Sequence, residues 1–359
     1  MKIMPVASLK KNLIALSFPE MEALVISLGW KKYRIEQILS WIYHQGIASI
    51  DQMTNISKTD QERLSDVAEI GHVRIVMRQE ASDGTRKFLV ELHDGHRIES
   101  VLIPDGDRLT LCISSQAGCT LDCNFCLTAQ EGLKRNLMAH EMVDQVLIAR
   151  GTLSDHQRIT NIVLMGMGEP LANLNAVTEA LKRMTSPWGF GMSPRKITVS
   201  TAGLVPQIRK FWKESVPVNL SISLNATTNE VRDRIMPAVN RLYPIENLLA
   251  VCKEFPLPVR RRITFEYVLL AGVNDSVEDA RRLVKLTRGI RCKINLIPFN
   301  EFSGSPYCRP SDEQILQFQD VLHRAEITAT IRKSKGNDIL AACGQLNGVT
   351  PSRLLNSSH

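Results

Sequence analysis

The sequence predicts an α/β fold: a partial (β/α)6 TIM-like barrel with a small helical domain before it and a C-terminal extension after it. Three observations carry this. Six strand-like runs, each followed by a helical segment, alternate between residues 108 and 300, the pattern of a parallel sheet and of an incomplete version of the eight-stranded barrel. The residues before about 70 carry helical spacing instead. A chain of 359 residues with 44% hydrophobic and 23% charged residues can bury one large core and a smaller one.

In chain order, residues 1–70 form the helical unit. "FPEMEALVISLGW" and "RIEQILSWIYHQ" place apolar residues three and four apart, and "SKTDQERLSDVA" opens on a capping serine. Residues 71–105 are a short β-rich extension in which "HVRIVMRQ", "TRKFLVEL" and "RIESVLIP" are separated by the hairpin turns "ASDGT" and "HDGH". Residues 106–327 are the barrel core, with strands in "RLTLCISS", "ITNIVLMG", "KITVSTAG", "VNLSISLN", "ITFEYVLLAG" and "KINLIPFN". Residues 328–359 add one more strand-like run and a tail containing Cys343. In such folds chemistry sits at the carboxyl ends of the strands.

Composition narrows the partners. Forty-four Lys and Arg against 37 Asp and Glu give a formal charge of +7, and "VRRRIT" (259–264) and "IRKSKG" (331–336) concentrate it locally. A polyanion, nucleic acid first, fits this balance, as does a generally basic solvated surface. The first residues are broken by Lys10 and Lys11, and no apolar run approaches membrane-spanning length. A cytoplasmic monomer with no membrane partner is expected. Eight cysteines in a reducing compartment then point to metal or thiol chemistry rather than disulfides.

Three of those cysteines lie together in "GCTLDCNFC": Cys119, Cys123 and Cys126 follow the first barrel strand with three residues and then two between them. Structural zinc wants four closed ligands, and Cys112 is the candidate fourth. A four-iron cluster held by three thiolates, with one iron left open, is the other choice. "GMGEP" (166–170), Ser200 in "VSTAG" and Asn225 in "SLN" fall at the tips of the following strands. Each alone reads as an ordinary turn; together they outline one ligand pocket, where glycines let a ligand approach the backbone.

The spacing Cys-x3-Cys-x2-Cys, with Phe125 before the last cysteine, resembles the signature of the radical S-adenosylmethionine (SAM) superfamily. "CNFCLTAQEGLKRNL", "GMGEPL", "FGMSPRKITVSTAG", "SLNATTNEVRDRIMP", "CKINLIPFN" and "AACGQL" further resemble the RlmN family of dual-specificity RNA methyltransferases, over roughly residues 10 to 348. The resemblance implies a barrel of the radical SAM type that methylates C2 of adenosine 2503 in 23S rRNA and C2 of adenosine 37 in certain tRNAs. It implies a [4Fe-4S] cluster on Cys119, Cys123 and Cys126, and two SAM molecules per turnover. Cys343 would carry a methyl group as S-methylcysteine, Cys112 would resolve the RNA adduct through a transient disulfide, and Glu99 matches the family's proton acceptor. Gly168, Glu169, Ser200, Ser223, Leu224, Asn225 and Asn300 would line the SAM site; Asn225 stands where many relatives carry histidine. The helical unit and the basic runs would hold RNA, and a flavodoxin or ferredoxin system would supply electrons. Cys252, Cys292 and Cys308 lie outside any motif and read as structural. C2 of adenine is electron-poor and will not attack the sulfonium methyl as a nucleophile, so a radical route is required. The sister family Cfr methylates C8 of the same rRNA adenosine. That reading, a zinc-stabilised RNA-binding protein and a radical SAM enzyme of small molecules are the alternatives.

Overall fold

The computed structural model describes residues 10–348. Its central feature is one ten-stranded sheet. In chain order the strands are β1 (Arg74–Glu80), β2 (Arg86–Glu91), β3 (Arg97–Asp105), β4 (Arg108–Cys112), β5 (Asn161–Leu164), β6 (Ile197–Thr201), β7 (Asn219–Ser223), β8 (Ile263–Leu269), β9 (Cys292–Pro298) and β10 (Ala329–Ile331). Neighbours in the sheet are neighbours in the chain throughout. β4 to β10 run parallel, and β1 to β4 form an antiparallel meander. The six expected barrel strands are β4 to β9, β10 is the extra run, and the β-rich extension continues the same sheet.

Helices fill the crossovers because parallel strands need long connections. The helical unit contributes α1 (Phe18–Ser27), α2 (Tyr33–Ser40) and α3 (Lys58–Val67). The crossovers contribute α4 (Ala139–Arg150), α5 (Leu174–Thr185), α6 (Val205–Glu214), α7 (Asn229–Ile235), α8 (Pro237–Leu242), α9 (Ile245–Glu254), α10 (Val277–Leu286) and α11 (Asp312–Arg324). Strand residues such as Leu111, Ile162, Val199, Ile222, Phe265 and Leu296 are buried, as two-sided strands require.

The helical unit docks on α4 and α5 through polar contacts. His72, just beyond that unit, links it to α4: its ring contacts the Ile47 carbonyl at 3.2 Å and pairs with Asp144, which also accepts from the Val73 amide at 2.5 Å. Arg150 donates to the carbonyls of Tyr43 (2.6 Å) and His44 (3.1 Å), and Arg183 to that of Ile14 at 2.7 Å. Tyr43 packs edge-on against Trp188 and Phe190. Ser57 and Ser17 cap α3 and α1, the latter in a full capping box with Glu20. No helix among the described residues is long and apolar enough to cross a membrane.

Candidate active site

The loop after β4 turns back at Gly118, whose φ of +77° and closeness to Gly132 leave no room for a side chain: a Cβ there would lie 1.8 Å from the Gly132 carbonyl. The following loop is held from two sides. Asn124 donates to the carbonyls of Ile235 (3.0 Å) and Arg234 (2.7 Å), and the Ala238 amide donates to Asp122 at 3.0 Å, so α7 and α8 fix it. The Leu127 amide donates to the Gly344 carbonyl at 2.7 Å, which ties the same loop to the neighbour of Cys343.

Cys119, Cys123 and Cys126 line one cavity together with Gly166, Gly168, Glu169, Ser200, Ser223, Asn225, Asn300 and Cys343. Burial pushes the thiols of Cys119 (up to about 12), Cys123 and Cys126 above the ordinary range. Protonated thiols are poor ligands and nucleophiles, and a cationic metal centre is what displaces such protons. Among the described residues no three His, Cys, Asp or Glu side chains converge on a single-ion site. A four-iron cluster asks for a different set, three thiolates each serving its own iron, and the shared cavity fits that set.

Cys112 lies elsewhere. It lines an adjoining cavity with Arg332, Ser334 and Lys335, and Cys343, Met165, Ile297 and Asn300 belong to both cavities. Burial pushes the Cys112 thiol up to about 12, with the nearby Cys343 adding to the rise and Arg332 opposing it. Cys112 therefore faces the methyl-carrier candidate, not the three clustered cysteines.

The strand-tip residues divide. Glu169 is buried, accepts from the amides of Ala202 (2.8 Å) and Leu171 (3.0 Å), and burial pushes its carboxyl up to about 7; a ligand ammonium would favour its ionised form. The glycines of "GMGEP" serve packing as well as access: a Cβ on Gly168 would meet Gln116 at 2.5 Å, and one on Gly166 would meet Ile113 at 2.8 Å. Asn225 adopts a φ of +58° and spends its amide on the protein, accepting from the Val268 amide at 2.9 Å and donating to Met236 Sδ at 3.3 Å. Asn300 donates to the Cys343 carbonyl at 3.1 Å and accepts from Ser334 at 2.5 Å, so it also positions the carrier segment. Leu224 is fully buried and absent from the cavity wall; its carbonyl accepts from Arg232 at 3.1 Å.

Glu99 lines neither cavity. It is buried, with Oε1 3.0 Å from Lys87 Nζ and Oε2 accepting from the amides of Asn347 (2.7 Å) and Gly348 (3.2 Å). Among the cysteines outside the motifs, Cys252 is buried, Cys292 half-buried and Cys308 exposed.

Comparison with known proteins places the chain in a family. Residues 11–70 match the family model described as "Ribosomal RNA large subunit methyltransferase N-terminal domain", and residues 113–284 match "Radical SAM superfamily". The dual-specificity RNA methyltransferase RlmN of Syntrophobacter fumaroxidans is 50% identical over 330 residues, 92% of this chain and 96% of that protein. Its counterpart in Syntrophus aciditrophicus is 48% identical over 94% of this chain and 96% of its own length. The chain belongs to the RlmN family. A solved radical SAM methyltransferase from Sphaerobacter thermophilus superposes with a TM-score of 0.90 at 41% identity, covering 94% of this chain and all of the other. RlmN membership brings SAM and a [4Fe-4S] cluster with it as the cofactors of the superfamily.

Within this RlmN-family site, sequence reasoning missed three residues. Glu266, in the middle of β8, lines the cysteine cavity and accepts from Ser200 at 3.1 Å; Lys87, the second residue of β2, pairs with Glu99. Glu266 is the one charged residue in its strand, and that was the available signal; Lys87 stands beside Arg86 in a half-charged strand and had none. Arg332 sat inside a basic run with nothing to mark it.

Proposed function

We propose that this protein methylates C2 of adenosine 2503 in 23S rRNA and C2 of adenosine 37 in tRNAs, through S-methylation of Cys343 and a transient Cys112–Cys343 disulfide. One placement carries the reading: Cys343 stands between the cavity of the three clustered cysteines and the cavity of Cys112. A carrier thiol there is reached from one side for loading and from the other for release.

The cluster and SAM, when bound, supply the one-electron chemistry that an electron-poor carbon requires. The protein's residues do the rest. Cys119, Cys123 and Cys126 would hold three irons and leave the fourth open to SAM, whose amino and carboxylate groups and ribose would lie along Gly168, Glu169, Ser200, Ser223, Asn225 and Asn300, with Leu224 behind the wall, its backbone bonded to Glu266, Ala226 and Arg232. Two SAM molecules would serve each product: one gives its methyl to the Cys343 thiolate, and the second accepts a hydrogen atom from that methyl. The carbon left behind would bond to adenine C2, joining RNA to the Cys343 sulfur, and the adduct would return one electron to the bound cluster. Release would follow when the Cys112 thiolate attacks that sulfur: an S–S bond forms, the C–S bond breaks with its electron pair passing to the carbon on adenine, C2 gives up its original proton and that carbon takes one up to become methyl, and two electrons restore both thiols before the next cycle. Arg332, in the same cavity, favours the thiolate that burial disfavours. We read Glu99 as a positioning residue for the Cys343 segment, since its carboxylate lines neither cavity and holds Lys87 and the Asn347 and Gly348 amides.

The helical unit and the basic run 331–336 beside the cavity would meet the RNA, with the target adenosine splayed from its stack. A cytoplasmic monomer receiving electrons from a flavodoxin or ferredoxin system completes the proposal. Mass spectrometry of rRNA and tRNA from cells with and without the protein is the test. Loss of 2-methyladenosine from both RNAs on deletion is the expected result; 8-methyladenosine as the product would move the protein's activity to that of the sister family.

A further inference from the structure

The other basic run lies at the opposite end of the barrel. Arg260, Arg261 and Arg262 immediately precede β8, and Arg291 immediately precedes β9, so they mark the amino-terminal ends of strands whose carboxyl ends carry Val268, Ile297 and Asn300 of the active-site cavity. Seven residues of β8 separate the two faces by roughly 20 Å at the usual strand rise. Lys285, in the last turn of α10, and Arg288 complete a concave surface lined by these six cations and by Glu326 as its only carboxylate. Five of the six are exposed and Arg261 is half-buried. None forms an ion pair among the described residues: Arg261, Arg262 and Arg291 donate only to Pro217, Thr328 and Leu257, which are neutral acceptors. A concave surface with six uncompensated cations focuses positive potential outward.

We infer that this cradle is a second RNA-docking site, which takes the phosphate backbone of the substrate at a point remote from the reacting base. The inference rests on the RNA-methyltransferase reading above and deepens it. A stem-loop small enough to fill the cavity mouth cannot also reach the far face, so the cradle selects for large folded RNA and anchors it by charge without reading sequence. An acidic electron-donor protein is the less suitable occupant, because electrons must arrive near the cysteine loop at the other end.

The experiment compares two probes, a long transcript of the 23S rRNA region around the target adenosine and a short stem-loop carrying that adenosine, binding the cluster-loaded protein across a salt series. Arg260→Ala, Arg262→Ala and Arg288→Ala combined should weaken the long transcript at least about tenfold and reduce its salt slope by about two to three. Stem-loop binding and SAM cleavage should be unchanged, and Lys at the same three positions should restore most of the affinity. Equal binding of the long transcript by wild type and variant, with the same slope, overturns the inference alone. So does equal weakening of both probes, which marks a general charge effect, or slowed reduction by an acidic flavodoxin with RNA binding intact, which marks a protein partner. A wild-type protein that binds neither probe overturns the methyltransferase reading as well.

Discussion

Lys87 Nζ lies 3.0 Å from Glu99 Oε1 and also donates to the Leu340 carbonyl at 3.2 Å, while Glu99 Oε2 accepts from Asn347 and Gly348. One buried ion pair thus grips both flanks of the Cys343 segment. Lys87→Met leaves a buried carboxylate uncompensated and should cost about 3–5 kcal/mol in denaturant unfolding. Lys87→Met with Glu99→Gln removes both charges yet keeps an acceptor for the two amides, and should recover much of that stability. If Glu99 positions Cys343, the double variant should also regain methyl-Cys343 in peptide maps and RNA methylation; recovered stability without any methylation would return Glu99 to proton transfer.

Protein purified without oxygen should be brown and contain about four irons per chain. Replacing Cys119, Cys123 and Cys126 by Ala should abolish colour, iron and SAM cleavage together. Stoichiometric zinc with no visible absorption would overturn the cluster assignment.

Cys343→Ala and Cys112→Ala should separate loading from release. Both should keep the cluster, since neither belongs to the three clustered cysteines. Cys343→Ala should make no methylated RNA, whereas Cys112→Ala should copurify with covalently bound RNA, seen as a nuclease-sensitive species of higher mass on a denaturing gel. The double variant should lose that species, because the tether has no anchor. Metal-depleted, RNA-free Cys112→Ala would argue instead for Cys112 as a metal ligand.

Docking of the helical unit should depend on pH through His72, which lies just beyond it and bridges its Ile47 carbonyl to Asp144 on α4. Burial works against its imidazolium, but Asp144 outweighs this through a hydrogen bond and its charge, so the folded protein holds the proton above the free value of 6.5. A raised folded-state pKa gives stability that is complete below pH 6.5 and declines as pH rises through the raised value. Unfolding curves between about pH 6 and 8 should show that decline, and His72→Gln should flatten it.

Much of the fold was legible because strand and helix periods differ. β4 to β8 fall inside five of the six runs that alternation singles out, β9 starts one residue before the sixth, and Ser57 caps α3 where the sequence places a cap. The cysteine triplet was legible through spacing alone. What escaped were contacts set by sheet register. Lys87 and Glu99 become diagonal neighbours on one face only because β2 and β3 pair with Lys87 opposite Val101 and Leu89 opposite Glu99. The division of the site into two cavities meeting at Cys343 also depends on where residues 340–348 return, and no local pattern encodes that. "RIEQILSWIYHQ" reads as one helix, yet α2 ends at Ser40 and residues Trp41–Gln45 widen into a π turn closed by Gly46 at φ +67°.

The grip on the carrier segment has a consequence during synthesis. Leu340 and Lys87 are 253 residues apart, as are Gly336 and Asp83, and Asn347 and Glu99 are separated by 248. At ribosomal rates of about 5–20 residues per second, roughly 10–50 s pass between the emergence of one partner and the other. The cysteine loop is translated early in that interval, with α7 and α8 able to brace it well before Cys343 exists. On the proposed assignment of Cys119, Cys123, Cys126 and Cys343, iron–sulfur loading then has a period in which the cysteine loop is built but the carrier segment is not, and a chain that stalls before residue 340 is expected to take up the cluster and carry no methyl group.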